Sequence, residues 1–168
     1  MIETSRLLLR QYVAADVPAI VALTSDPKIR EFVGNLPNSP EEAWSRVLRW
    51  TGHWSLFGYG NLAVVDKESG QIIGEVGAGH FHREIDARLT TLPEASWLFC
   101  NESQGKGYAF EAMSAFVEWM DRSPAHPGLA CLIEPINNSS ITLAGKLGFV
   151  READVLYRER SFNIFIRQ

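Results

Sequence analysis

The sequence predicts a mixed α/β domain: a central sheet of about six to seven strands, mostly antiparallel, with flanking helices. Three observations carry this expectation. Short apolar runs of strand length alternate with longer segments whose apolar residues recur at helical spacing. Residues 94–100, 107–121 and 129–133 read as strand, helix and strand, the order of a right-handed crossover between parallel neighbours. The other strand candidates surround this unit as hairpins, which makes their pairing antiparallel.

Residues 6–12 are a short apolar strand flanked by Arg6 and Arg10. Asp16 then stands at an N-cap position, with Pro18 in the first turn and Ile20, Val21 and Leu23 on one apolar face. Asp26-Pro27 closes that helix. Ser39 and Glu42 form an S-x-x-E capping box, with Pro40 at the first helical position. The helix it opens carries Trp44, Val47, Leu48, Thr51 and Trp54, a stripe that reads first as core. Residues 62–66 and 71–78 are strands joined by Lys67-Glu68-Ser69-Gly70, a hairpin connection ending in glycine. Residues 82–93 mix charges with turn formers and are expected to be a loop or a ragged hairpin end.

The strand 94–100 leads into a glycine-rich turn. A helix to Asp121 follows, on Ala109, Ala112, Met113, Phe116, Val117 and Met120. The stretch 123–128, with two prolines and a glycine, is a break, and residues 129–133 are a buried strand. Asn137-Asn138-Ser139-Ser140 opens a short helix, and Lys146-Leu147-Gly148-Phe149 closes it at a glycine C-cap. Residues 150–156 and 161–166 are the last strands. With no linker, internal repeat or low-complexity segment, residues 1–168 are expected to form one domain.

Composition narrows the function classes. At 168 residues, 46% hydrophobic and 21% charged, the chain has the profile of a soluble globular domain. Such a domain buries roughly 70% of its unfolded surface and needs no disulfide or metal staple. Cys100 and Cys131 lie in apolar runs and read as free thiols in a reducing compartment. The net charge of −4, without a basic run, excludes the electrostatic footprint of nucleic-acid binding. No signal peptide or membrane-length apolar run is present, so the expected location is the cytoplasm, away from membranes.

Chemistry concentrates at Gln104-Gly105-Lys106-Gly107-Tyr108-Ala109, between a strand and a helix N-terminus. Glycine lets backbone approach a ligand closely, and the first N–H groups of the helix point outward at the positive end of its dipole. That is a seat for phosphate or pyrophosphate, although a turn that merely ends a strand has the same local look. The Walker pattern is absent, and G-x-G-x-x-G fails because position 110 is Phe. Q-x-x-G-x-A fits, from Gln104 through Gly107 to Ala109. Here the chain resembles the GNAT superfamily of N-acetyltransferases, whose equivalent turn holds the pyrophosphate of acetyl-CoA.

Four further stretches, in order and at preserved spacing, are similar to the RimJ/RimL-type branch, which includes ribosomal-protein N-terminal acetyltransferases. Thr4-Ser5-Arg6-Leu7-Leu8-Leu9-Arg10 resembles its opening T-x-R-L-x-L-R strand. Gly105-Lys106-Gly107-Tyr108-Ala109-Phe110-Glu111-Ala112 resembles G-K-G-Y-A-T-E-A, with Phe110 in place of Thr. Asn137 and Ser140, followed by Lys146-Leu147-Gly148-Phe149, resemble N-x-x-S and K-L-G-F. Glu94 opens the strand before the turn as in E-x-G-Y-W-L, with Ser96-Trp97 replacing Gly-Tyr.

The resemblance implies the acyl-CoA N-acyltransferase fold along essentially the whole chain. It also implies transfer of acetyl from acetyl-CoA to a primary amine by direct attack in a ternary complex. The amine would be a protein N-terminus or that of a small molecule. Trp97, Leu98, Phe99 and Cys100 would offer backbone to pantetheine, and the N–H groups of Gln104, Gly105, Lys106, Gly107, Tyr108 and Ala109 would take the pyrophosphate. Asn137 would contact the pantetheine arm, and Ser140 would stand near the sulfur.

Glu94 is the candidate general base, directly or through water, provided burial raises its pKa; a solvated strand-edge pair is the alternative. Where many superfamily members have a tyrosine acid, this chain has Ala144. Ser140 is the replacement proton donor, with helix capping as its other reading, and Tyr157 is a looser candidate. His80, His82 and His53 lack a clustered set of zinc ligands, so no metal is expected. Trp44, Trp50, Trp54, Phe57 and Tyr59 are core first and acceptor-site wall second. A non-catalytic acyl-CoA-binding module of the same fold is the alternative function; retention of Glu94 and Ser140 favours the enzyme. A homodimer is compatible with these features, since dimers are the commonest homo-oligomers.

Overall fold

In the computed structural model, residues 1–32, 36–37, 39–122 and 128–168 are described. The break expected at 123–128 lies outside them, apart from Gly128. Eight strands form one sheet: β1 (Ile2–Glu3), β2 (Leu7–Arg10), β3 (Leu62–Asp66), β4 (Ile72–Gly79), β5 (Glu94–Phe99), β6 (Leu129–Ile133), β7 (Val150–Tyr157) and β8 (Arg160–Arg167). Their order is β1-β2-β3-β4-β5-β6-β8-β7, and every neighbouring pair is antiparallel except β5 and β6. The strand beyond the expected count is β1. Two residues are too few to show alternation, and its pairing of Ile2 with Leu9 is what defines it.

The helices are α1 (Val17–Thr24), α2 (Pro27–Phe32), α3 (Pro40–Phe57), α4 (Ala87–Thr91), α5 (Tyr108–Asp121) and α6 (Asn138–Lys146). Asp26-Pro27 does end α1, but Pro27 also starts α2, the N-terminal use of proline. Asp16 stands at the N-cap position of α1 as expected but makes no side-chain cap: its carboxylate pairs with Arg10 at 2.7 Å and accepts the Val13 N–H at 2.8 Å. Ser39 accepts the Glu42 N–H at 3.2 Å and caps α3 as expected. The stretch read as a loop holds α4, capped by Asp86 through the Arg88 N–H at 2.9 Å. With one buried residue, Leu89, it has too little periodicity to be seen in sequence.

The sheet separates two layers. On one face α5 and α6 bury Ala112, Met113, Phe116, Leu143 and Ala144 against Leu9, Val64, Val76 and Ala95. On the other, α1 and α3 bury Ile20, Ala43, Val47 and Trp50 against Tyr12 and Ala63. Residue parity along β5 decides what faces where: Ala95, Trp97 and Phe99 turn to the α5 side, and Leu98 to a cluster with Leu23 and Ile29. Among the described residues no helix is long and apolar enough to cross a membrane.

The N-terminal T-x-R stretch is latched to α5. The Glu111 carboxylate accepts from Thr4 Oγ1 (2.6 Å), Ser5 Oγ (3.1 Å), the Arg6 N–H (3.0 Å) and Arg6 Nε (2.7 Å). Partial burial pushes this carboxyl up, but those donors, Thr4 foremost, hold it down to about 2. The stabilisation is therefore whole above the ordinary carboxylate value near 4.5 and drains away as pH falls towards 2. Glu111→Gln is expected to cost about 2 kcal/mol, a drop of roughly 4–8 °C in Tm at neutral pH that shrinks as pH falls. Circular-dichroism melts test it, and an unchanged Tm at pH 7 would remove the latch.

Candidate active site

The site begins where the sheet comes apart. β5 and β6 run parallel but share one register pair, Glu94 with Ala130, secured by the Ala130 N–H on the Pro93 carbonyl at 3.0 Å. Beyond it β5 stays on β4 as far as Phe99, and β6 stays on β8 as far as Ile133. Alternate N–H and C=O groups of β5 therefore turn away from β4 into an open wedge. A cavity of about 830 Å³ occupies this region. Trp97, Asn137 and Ser140 line it from the α5–α6 side, and Trp50, His53 and Glu75 from the α3 side. It thus crosses the sheet and connects the two faces.

Glu94 stands at the apex of the wedge, 8% exposed. Arg83 donates to both its oxygens, at 2.8 and 3.2 Å. Burial raises the Glu94 pKa above its ordinary value, and the Arg83 guanidinium offsets only part of that rise. The Arg83 guanidinium in turn lies over the rings of Phe81 and Tyr157, at 5.0 and 4.9 Å, so it is fixed from three sides. Glu94 is a buried, tethered carboxylate and not a solvated edge pair.

On the opposite wall, Asn137 caps α6. Its carboxamide oxygen accepts the Ser140 N–H at 3.1 Å and the Ser139 hydroxyl at 2.9 Å. Cap and hydroxyl are thus separate: Asn137 does the capping, and Ser140 Oγ accepts from Trp97 Nε1 at 3.1 Å. That bond orients the Ser140 oxygen and leaves its own hydrogen to be donated elsewhere.

The glycine turn follows β5. Gly105 and Gly107 have φ of +73° and +79°, and Gly107 is the N-cap of α5 with no side-chain cap. The first N–H groups of that helix therefore meet no capping side chain. Arg6 Nη1 donates to the Lys106 carbonyl at 3.0 Å and holds the turn against the N-terminal latch.

The cavity brings together Glu94, Trp97, Leu98, Asn137, Ser140 and Tyr157. Phe99, Cys100 and the turn from Gln104 to Ala109 lie outside its lining, at the far end of β5. Of the five aromatic residues weighed as a wall, Trp50 lines the cavity. Tyr59 is core, Trp54 packs on Trp119, and Trp44 and Phe57 are exposed. Cys100 and Cys131 are free thiols; Cys131 is buried and Cys100 half-buried.

Sequence reasoning missed the cluster around Glu75 on β4. This buried carboxylate receives Arg46 Nη2 at 2.6 Å, Tyr12 Oη at 2.7 Å and a close contact from Asn61 Nδ2. Burial alone would raise its pKa, but Arg46, Tyr12 and Asn61 bring it below the ordinary carboxylate range. Asn61 also reaches Ser96 on β5, at 3.2 Å. The available signal was one glutamate inside an otherwise apolar and glycine strand. His80 was weighed only with His82 and His53 as a metal ligand, and its partners were not foreseen. Its backbone N–H donates to His53 Nε2 at 3.2 Å, and its ring Nε2 meets the Tyr59 hydroxyl at 2.6 Å. Burial lowers the His80 pKa, with His82 and His53 adding to the effect. Among the described residues no group of three or more metal-ligating side chains is gathered.

The profile of the Acetyltransferase (GNAT) domain matches residues 6–150. A Bacillus licheniformis protein, p20, described as an uncharacterized N-acetyltransferase, is 25% identical over 150 residues, covering 89% of this chain and 82% of its own. A solved structure from Bordetella pertussis, described as of the GnaT acetyltransferase family, is 29% identical with a TM-score of 0.88, over 99% of this chain and 98% of that one. RimL, a ribosomal L7/L12 α-N-protein acetyltransferase solved with coenzyme A, superposes with a TM-score of 0.79 over 98% and 94% of the two chains. At 16% identity that last likeness is one of fold.

Proposed function

Because the chain belongs to the GNAT acetyltransferase family, we propose that it is an acetyl-CoA-dependent N-acetyltransferase in which a primary amine attacks the thioester directly within a ternary complex. The supporting observation is the cavity that crosses the sheet at the β5–β6 wedge, with a carboxylate and a hydroxyl in its walls. The donor set fits a coenzyme A thioester: unpaired β5 backbone in the wedge, the amide hydrogens of Asn137, and an uncapped helix N-terminus beyond them. Acetyl-CoA supplies the activated acyl group.

In this reading the N–H groups from Gln104 to Ala109 hold the pyrophosphate, with Lys106 beside them. The backbone of Trp97, Leu98, Phe99 and Cys100 and the side chain of Asn137 hold the pantetheine arm. The acceptor enters from the α3 face. Glu94, whose raised pKa suits it to accept a proton, takes one from the ammonium and so frees the lone pair. As the C–N bond forms and the C–S bond breaks, the hydroxyl of Ser140, held by Trp97, gives a proton to the departing sulfur and is replenished, through water, by the second proton the nitrogen sheds on becoming an amide. Arg83 keeps Glu94 aimed at the apex, acting as a positioning residue. The motif spacing at Thr4–Arg10 and Gly105–Ala112 supports a place near the RimJ/RimL-type branch.

The test is mass-spectrometric detection of acetylated product with acetyl-CoA and a panel of peptide N-termini, amino acids, polyamines and aminoglycosides. Acetylated amine is the expected result. Acetyl-CoA binding without any product would favour the non-catalytic binding module, and no acetyl-CoA binding would overturn the reading.

A further inference from the structure

The charge of the cavity wall differs from that of the chain. The protein as a whole carries −4, but five arginines of the lining, Arg46, Arg49, Arg83, Arg158 and Arg160, face three glutamates. Each glutamate is matched: Glu75 by Arg46, Glu94 by Arg83, and Glu134 by Arg160. Among the described residues, Arg49 and Arg158 have no carboxylate partner, so the wall is left with two surplus positive charges. Both line the cavity, whose lining does not include the glycine turn: Arg49 is on α3, beside Trp50, and Arg158 is at the tip of the β7–β8 hairpin.

Two further features point the same way. Trp50, 2% exposed and in the cavity wall, has an indole N–H with no acceptor among the described residues. A buried donor without a protein partner is rare unless water or a ligand completes it. The hairpin tip holds Arg158 and Glu159 at φ of +50° and +63°, a conformation that Asn or Gly would adopt at less cost. Observed strain of this kind concentrates where a side chain is held for use.

We infer that the acceptor is an amine that also carries an anionic group, a carboxylate or a phosphate. Its amine reaches Glu94, and its anion lies against Arg49, Arg158 and the Trp50 N–H. This rests on the acetyltransferase reading above. The net acidity of the chain does not argue against it, because the cavity's own arginines pair with each of its three glutamates.

Matched acceptors test it: an α-amino acid against its amide, a Ser-Glu peptide against Ser-Gln, and phosphoethanolamine against ethanolamine, all with acetyl-CoA. The anionic member of at least one pair is expected to react with a kcat/KM at least about tenfold above its neutral partner; which pair responds names the anion and its carrier. Arg158→Gln and Arg49→Gln should each cut that preference by roughly tenfold through KM, Arg158→Lys should retain most of it, and the Kd for acetyl-CoA should not move. A preference for neutral or polycationic amines, or one that survives both glutamine substitutions, overturns the inference. So does the absence of product from every anionic acceptor while acetyl-CoA still binds. If acetyl-CoA does not bind at all, the acetyltransferase reading falls first.

Discussion

A Glu94→Gln enzyme is expected to turn over about 10²–10³-fold more slowly than the parent, with a nearly unchanged Kd for acetyl-CoA. An amide cannot take the ammonium proton, whereas the proposed cofactor seat lies along β5 and at the glycine turn. The substitution also removes half of the Arg83 contact, so a positional effect must be separated from a chemical one. Arg83→Gln does this: it loses the ion pair but keeps the base, and its kcat should fall much less than that of Glu94→Gln. The pH profile is the second discriminator. Burial raises the Glu94 pKa, so the parent's kcat/KM should fall as pH drops through a value above 4.5. That limb should vanish in Glu94→Gln. Turnover unchanged at every pH would remove Glu94 as the base.

Gly107→Val is expected to weaken acetyl-CoA binding by at least about 100-fold. The space around Gly107 is not the obstacle, since a Cβ there would meet nothing nearer than Arg6 Nη2 at 3.6 Å. The obstacle is φ of +79°, which a β-branched residue adopts only under strain. Relaxing that strain would turn the N–H groups of the turn away from a common anion, and the added methyls would crowd the ligand's approach. Gly107→Ala should fall between the two. Isothermal titration with acetyl-CoA measures the effect, and full-affinity binding by the valine variant would remove the turn from the site.

The parts of the fold legible in sequence were those with local causes. The hairpin 67–70, the Ser39 cap and the closure at Gly148 each follow from a few adjacent residues, and each is present. Seven strands were readable from apolar runs, whereas β1, α2 and α4 were too short to show a period. What stayed hidden was pairing between distant residues. Thr4-Ser5-Arg6 and Glu111 were seen as two separate motif matches, yet they are the two halves of one latch across the sheet edge. Glu75, Arg46, Tyr12 and Asn61 come from four elements, and each alone is an ordinary polar or aromatic residue. The balance of charge in the cavity was invisible for the same reason: it depends on which arginine each glutamate finds.

The single junction between β5 and β6 has a mechanical meaning as well. The sheet is two rafts, one of five strands and one of three, moored at a single rung and otherwise kept in line by the helical layer of α5 and α6. A molecule lying along the seam bonds to both rafts and stands in for the missing rungs. Since the unfolded chain has no seam, such a molecule adds to the work of melting the protein in proportion to how well it spans the two. In the proposed placement the thioester carrier would also be a splint, and the unloaded protein would be loosest along the line where that carrier binds.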